Sequence, residues 1–113
     1  MKRDRQRLED ILEAIERIEK YAGGGRASFD GDELVQTWIV HHLQIIGEAV
    51  RGLSEAIRNA HPDIPWSQIA AMRNILVHDY FGIDLEEVWV AVARDVPVLK
   101  AKVVAILTIG SAP

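Results

Sequence analysis

The sequence predicts an all-α protein, an antiparallel bundle of four or five helices forming one domain over residues 1–113. Three observations predict it. Apolar residues recur at three- and four-residue steps along almost the whole chain, the connections are short and marked by Gly and Pro, and no stretch alternates with strand period. The length suits a single core, and 49% hydrophobic with 27% charged residues excludes a disordered or fibrous chain.

Leu8, Ile11, Leu12, Ile15, Ile18 and Ala22 form the apolar stripe of a first helix, with Glu9, Asp10, Glu13, Glu16, Arg17, Glu19 and Lys20 on a solvated face. Gly23-Gly24-Gly25 ends it, because consecutive glycines are costly in a helix. A second helix opens at Asp30, with Glu33 three residues on as in a capping box. Its apolar set is Leu34, Trp38, Ile39, Ile45, Ile46, Ala49, Val50, Leu53 and Ile57, giving nearly thirty residues before His61-Pro62 stops it. Pro65 starts a third helix, with Ile69, Met72, Ile75 and Leu76 as its buried stripe and Phe81-Gly82 as its close. Asp84 and Glu87 form another capping box, opening a last helix of Leu85, Val88, Trp89, Val92, Val96, Leu99, Val103 and Ile106. Pro97 should kink this helix and Gly110 end it. Trp38, Trp66 and Trp89 read as core.

Composition narrows function. Cysteine is absent, so there is no disulfide framework, thiolate metal site or cysteine nucleophile, in keeping with a reducing cytoplasm. Thirteen Lys+Arg against seventeen Asp+Glu leave a charge of −4, which disfavours coating nucleic acid by counterion release. The basic start is followed by acids every few residues and is no signal peptide. The most apolar region, Val88 to Ile109, carries Arg94, Asp95, Lys100 and Lys102, so it reads as an amphipathic helix and not a membrane span. His41 and His42 are adjacent and point about 100° apart, which is wrong for a same-face metal pair. A soluble cytoplasmic protein is expected.

The densest chemistry is Met72-Arg73-Asn74-Ile75-Leu76-Val77-His78-Asp79-Tyr80-Phe81. Arg73 is a permanent fork-shaped cation suited to phosphate. His78 can move protons near neutral pH. Together they suffice for phosphodiester cleavage without metal or cofactor: the imidazole serves the ribose 2′-hydroxyl or the leaving oxygen, and the guanidinium stabilises charge on the phosphorane. Spacing alone favours a structural pair at a helix end. Five residues turn about 140° on an ideal helix, so Arg73 and His78 converge only if the helix unwinds or a second protomer supplies one of them. Asn74 lies one turn before His78 and could orient its ring. Asp79 reads as solvated or as tuning His78. Tyr80 by itself reads as a core ring with its hydroxyl at the surface. Glu48 reads as either a paired helix carboxylate or a group facing this site.

Arg73-Asn74 followed by His78 and Tyr80, R-N-x-x-x-H-x-Y, resembles the signature of HEPN-domain proteins, in particular the HepT-like toxins. Ile46-Gly47-Glu48-Ala49, Trp66-Ser67-Gln68-Ile69 and Ile83-Asp84 with Val88-Trp89 extend the resemblance over roughly residues 5 to 108. It implies a HEPN-like bundle and a metal-independent endo- or exoribonuclease toxin, homodimeric, with two R-x-x-x-x-H motifs facing one cleft. Arg73 and His78 would be catalytic and Asn74 supporting. Tyr80 would receive AMP from a minimal nucleotidyltransferase antitoxin encoded alongside. The alternative is a non-catalytic helical module that binds nucleotide or docks on such a nucleotidyltransferase.

Overall fold

The computed structural model describes residues 2–71 and 84–111. Among the described residues every regular element is helical, as the apolar periodicity predicts. Helix α1, Lys2–Ala22, buries Leu8, Ile11, Ala14, Ile15 and Ile18. Its outer face carries the pairs Arg5–Glu9 and Arg17–Glu13, each at 3.0 Å and one helical turn apart. Helix α3, Glu33–Arg51, buries Val35, Ile39, Leu43, Ile46 and Val50 against it. The two run antiparallel: Asp4 meets Ser54 at one end, and the Trp38 indole N–H donates to the Arg17 carbonyl (2.8 Å) towards the other.

The expected second helix breaks into two, and a further short helix precedes it where the sequence reads as a loop. After α1, Gly25 takes φ +86°, a conformation that favours glycine, and a short α2 follows at Gly25–Gly31. Its one buried side chain is Phe29, fully enclosed and 5.3 Å from the Trp89 ring. The Gln36 amide donates to the Phe29 and Asp30 carbonyls at 2.9 and 3.2 Å, satisfying acceptors at the end of α2. The N-cap of α3 is therefore Asp32 and not Asp30; its carboxylate accepts from Leu34 N and Val35 N. This register leaves Leu34 81% exposed, against the expectation that it joins the core.

Gly52 and Leu53 end α3, and Ser54 caps α4, Glu55–Ala60, by accepting from Ile57 N at 3.3 Å. A side chain on Gly52 would meet Arg7, whose Nε lies 2.6 Å from the position of a Cβ. His61-Pro62 stops α4 as expected. The turn behind it buries Ile64, and the Trp66 indole donates to the His61 carbonyl at 3.0 Å. Helix α5 begins after Pro65 and is described over 66–71, with Ile69 and Ala70 packed on the core.

Helix α6, Leu85–Val90, is capped by Asp84, which accepts from Glu86 N and Glu87 N. It passes through a π-helical turn, Ala91–Asp95, into α7, Val96–Ser111. Proline lacks an amide hydrogen and its ring collides with the carbonyl four residues back. A wide π turn, closed by Val96 N–H to the Ala91 carbonyl, lies just before Pro97, where a kink is expected from the sequence. It also keeps Val88, Val92 and Val96, spaced by four, on one buried line that a 3.6-residue helix would let drift. Helix α7 runs one residue past Gly110. Trp66 is buried, and Trp38 and Trp89 are partly buried against the core. No described helix is long and apolar enough to cross a membrane.

Candidate functional site

Arg73, Asn74, His78, Asp79 and Tyr80 lie outside the described residues, as do Met72, Ile75, Leu76 and Phe81-Gly82. The elements on either side of them are firmly built. Before them, Trp66 is 6% exposed and bonded through its indole, and Ile69 faces the core. After them, Asp84 caps α6, Val88 is buried and Trp89 packs on Phe29. Both ends of the motif-bearing stretch are thus fixed to one core.

Helix α3 separates two cavities. On the side of α5 and α7, Leu43, Ile46, Ile64, Ile69 and Leu99 line an apolar pocket of about 220 Å³, with Gln68, Asp95 and Lys102 among its polar members. On the α1 side, Arg7, Asp10, Glu13, Arg17, His42 and Glu48 line a groove of about 390 Å³ with charges of both signs. Glu48 therefore stands on the α1 side, whereas Ile46, two residues earlier, faces α5.

Three cations of the described residues are committed to carboxylates. Lys102 binds Asp63, and this hydrogen bond, outweighing partial burial, holds the Asp63 carboxyl below its ordinary range. Arg26 binds Glu86 and Asp30, which raise its already high pKa further. Lys100 reaches Glu19 at 2.8 Å, tying α7 to α1, and that bond raises the lysine pKa.

The burial of two polar residues, Asp4 and His42, escaped the sequence reading. Asp4, 5% exposed, accepts from Ser54 N (2.9 Å) and from the Ser54 hydroxyl (2.6 Å). His42, also 5% exposed, stands 2.7 Å from the Trp38 carbonyl through Nδ1. A carbonyl only accepts, so Nδ1 carries the proton. Position was the signal in both cases: Asp4 precedes Leu8 by one turn on the apolar stripe, and His42 falls between Ile39 and Ile46 on that of α3. Among the described residues no three His, Asp or Glu side chains group so as to hold a metal.

A small all-helical bundle that carries an Arg, His and Tyr segment between two core-anchored helices is the class of protein defined so far. Comparison with known proteins is more specific. The family model described as "Ribonuclease HepT-like" matches residues 11–106. "Probable ribonuclease HepT" of Thermococcus cleftensis is 41% identical over 98 residues, covering 84% of this chain and 87% of its own. "Putative RNase TTE0752" of Caldanaerobacter subterraneus subsp. tengcongensis is 38% identical over 108 residues, covering 95% of this chain and 96% of its own. No solved structure gives a significant match. The chain belongs to the HepT-like ribonuclease family.

Proposed function

We propose that the protein is a metal-independent ribonuclease toxin acting through Arg73 and His78. The observation that carries this reading is the family match, which spans the segment holding R-N-x-x-x-H-x-Y. In the mechanism, His78 as general base takes the proton of a ribose 2′-hydroxyl. The oxygen attacks the adjacent phosphorus, and the 5′-oxygen leaves with a proton returned by an imidazolium. The product ends in a 2′,3′-cyclic phosphate. Arg73 holds the phosphate and stabilises the extra negative charge of the phosphorane. Asn74 orients His78, and Asp79 tunes it. Since an ideal helix sets Arg73 and His78 on different faces, a homodimer places two motifs at one cleft and completes the pair across the two-fold axis.

Tyr80 is the proposed regulatory site. Its phenolic oxygen attacks the α-phosphorus of ATP on a nucleotidyltransferase antitoxin, forming the AMP ester and releasing pyrophosphate. A phosphate placed two residues from His78 blocks the substrate's own phosphate by repulsion and occupancy. The expected site of action is the cytoplasm.

Incubating wild type and His78→Ala with total RNA in EDTA tests the reading. Cyclic-phosphate ends that disappear in the variant are expected. Absence of wild-type cleavage, or equal cleavage by both proteins, overturns catalysis and leaves a helical module that docks on the nucleotidyltransferase. Intact mass after co-expression with that enzyme tests Tyr80: a gain of AMP units that Tyr80→Phe fails to abolish removes the modification claim.

A further inference from the structure

Four rings form a continuous chain at the junction of α1 and α3, away from the Ile46 face that meets α5. Tyr21 meets Trp38 edge-on at 5.1 Å and 70°. Trp38 lies 4.4 Å from the His42 ring, and His42 lies 5.1 Å from His41. The inner members are fixed: Trp38 by its bond to the Arg17 carbonyl, His42 by its bond to Trp38. The outer members, Tyr21 and His41, are exposed. The Lys20 ammonium sits 5.8 Å from the centre of the Tyr21 ring. Tyr21, Trp38, His41 and Lys20, with Ser28, Asp32, Leu34 and Thr37, border a shallow depression of about 770 Å³, and His42 backs Trp38 from the other side of the ring chain.

We propose that this depression is a subsite for an unpaired base of single-stranded RNA, extending the substrate's footprint beyond the motif; the inference rests on the ribonuclease reading for the identity of its ligand. Stacking on aromatic faces accommodates any base, and a nearby ammonium attracts the backbone phosphate. Ser28 and Thr37 offer hydroxyls that both donate and accept, as base edges require. The volume falls in the range of small-ligand pockets. A second copy of the chain fits less well. A stable interface takes roughly 800 Å² from each partner, and the large exposed apolar side chains bordering this depression are Tyr21 and Leu34, a fraction of that.

A short 2′-O-methyl RNA carrying 4-thiouridine tests the subsite without cleavage, because its blocked 2′-oxygen cannot attack phosphorus. Photocrosslinking to peptides bearing Tyr21, Trp38 or His41 is expected. Tyr21→Ala should weaken binding about tenfold, and Tyr21→Phe, which keeps the ring, should restore it. Crosslinks confined to other peptides, equal binding by Tyr21→Ala, or no binding by wild type each overturn the subsite. So does a fall in mass by light scattering in Leu34→Ser with RNA binding intact, because a second copy then covers the patch. The two readings fail separately. A wild type that crosslinks at Tyr21 but never cuts RNA sinks catalysis alone, and one that cuts RNA with no dependence on Tyr21 sinks the subsite alone.

Discussion

Asp4 and Ser54, fifty residues apart, are joined by two hydrogen bonds that the serine donates to one carboxylate. The same serine hydroxyl accepts from Ile57 N, so a single residue caps α4 and fastens it to the first turn of α1. One polar clasp thus ties the start of the bundle to the corner where the expected long helix breaks.

Asp4→Asn keeps the shape but loses charge and puts an amide donor where an acceptor is needed. Because Asp4 is 5% exposed, the variant should lose about 1–3 kcal/mol, seen as a lower urea midpoint.

Asp4 also predicts a pH dependence. Burial pushes its carboxyl up, but the Ser54 hydroxyl, the Ser54 amide and the amino terminus together outweigh that and lower its pKa below the ordinary value. A depressed folded-state pKa contributes stability that is present above the unfolded value of about 4 and lost as pH falls through the folded one. Urea midpoints measured from pH 5 downward should therefore fall more steeply for wild type than for Asp4→Asn. Parallel curves would remove Asp4 from the acid response.

Phe29 is the one buried side chain of α2 and packs on Trp89 of α6. Phe29→Ala should cost about 3–5 kcal/mol. Hydrogen exchange in the variant should show first-opening amides in α2, because its remaining ties are the Gln36 hydrogen bonds and the Arg26–Glu86 pair at the surface.

Gly52 is in the αR region at φ −84°, where alanine is comfortable, so only Arg7 opposes a side chain there. Gly52→Ala should be near neutral in wild type, as the helix-propensity gain of up to about 1 kcal/mol is offset by displacing the guanidinium. In an Arg7→Ala background the same change should stabilise. A double-mutant cycle measures the difference directly, and additivity would contradict the contact.

Much of the fold was legible because long amphipathic stripes leave little choice: Leu8, Ile11, Ile15 and Ile18, and Ile39, Ile46, Ala49 and Val50, are buried as expected, although Val35 takes the core place expected of Leu34. The breaks were harder to read. Phe29 is the one large apolar residue in a seven-residue helix, too little for periodicity to register, and Asp30 offered a plausible cap two residues from the real one. Gly52 takes an ordinary helical conformation, so the break there depends on Ser54 and on the tertiary partners Asp4 and Arg7. The candidate site was legible as a motif, since residue types and order carry it. The aromatic chain was not, because Tyr21 meets Trp38 only once α1 and α3 lie antiparallel.

The turn at Ala91–Asp95 also bears on descent. It holds one residue more than an α-helical turn needs, so removing one residue from it would carry α6 into α7 as a continuous α-helix. Relatives that lack a proline corresponding to Pro97 should tolerate losing that residue. Aligned sequences should then show a single-position gap inside an otherwise unbroken helix, paired with the absence of proline.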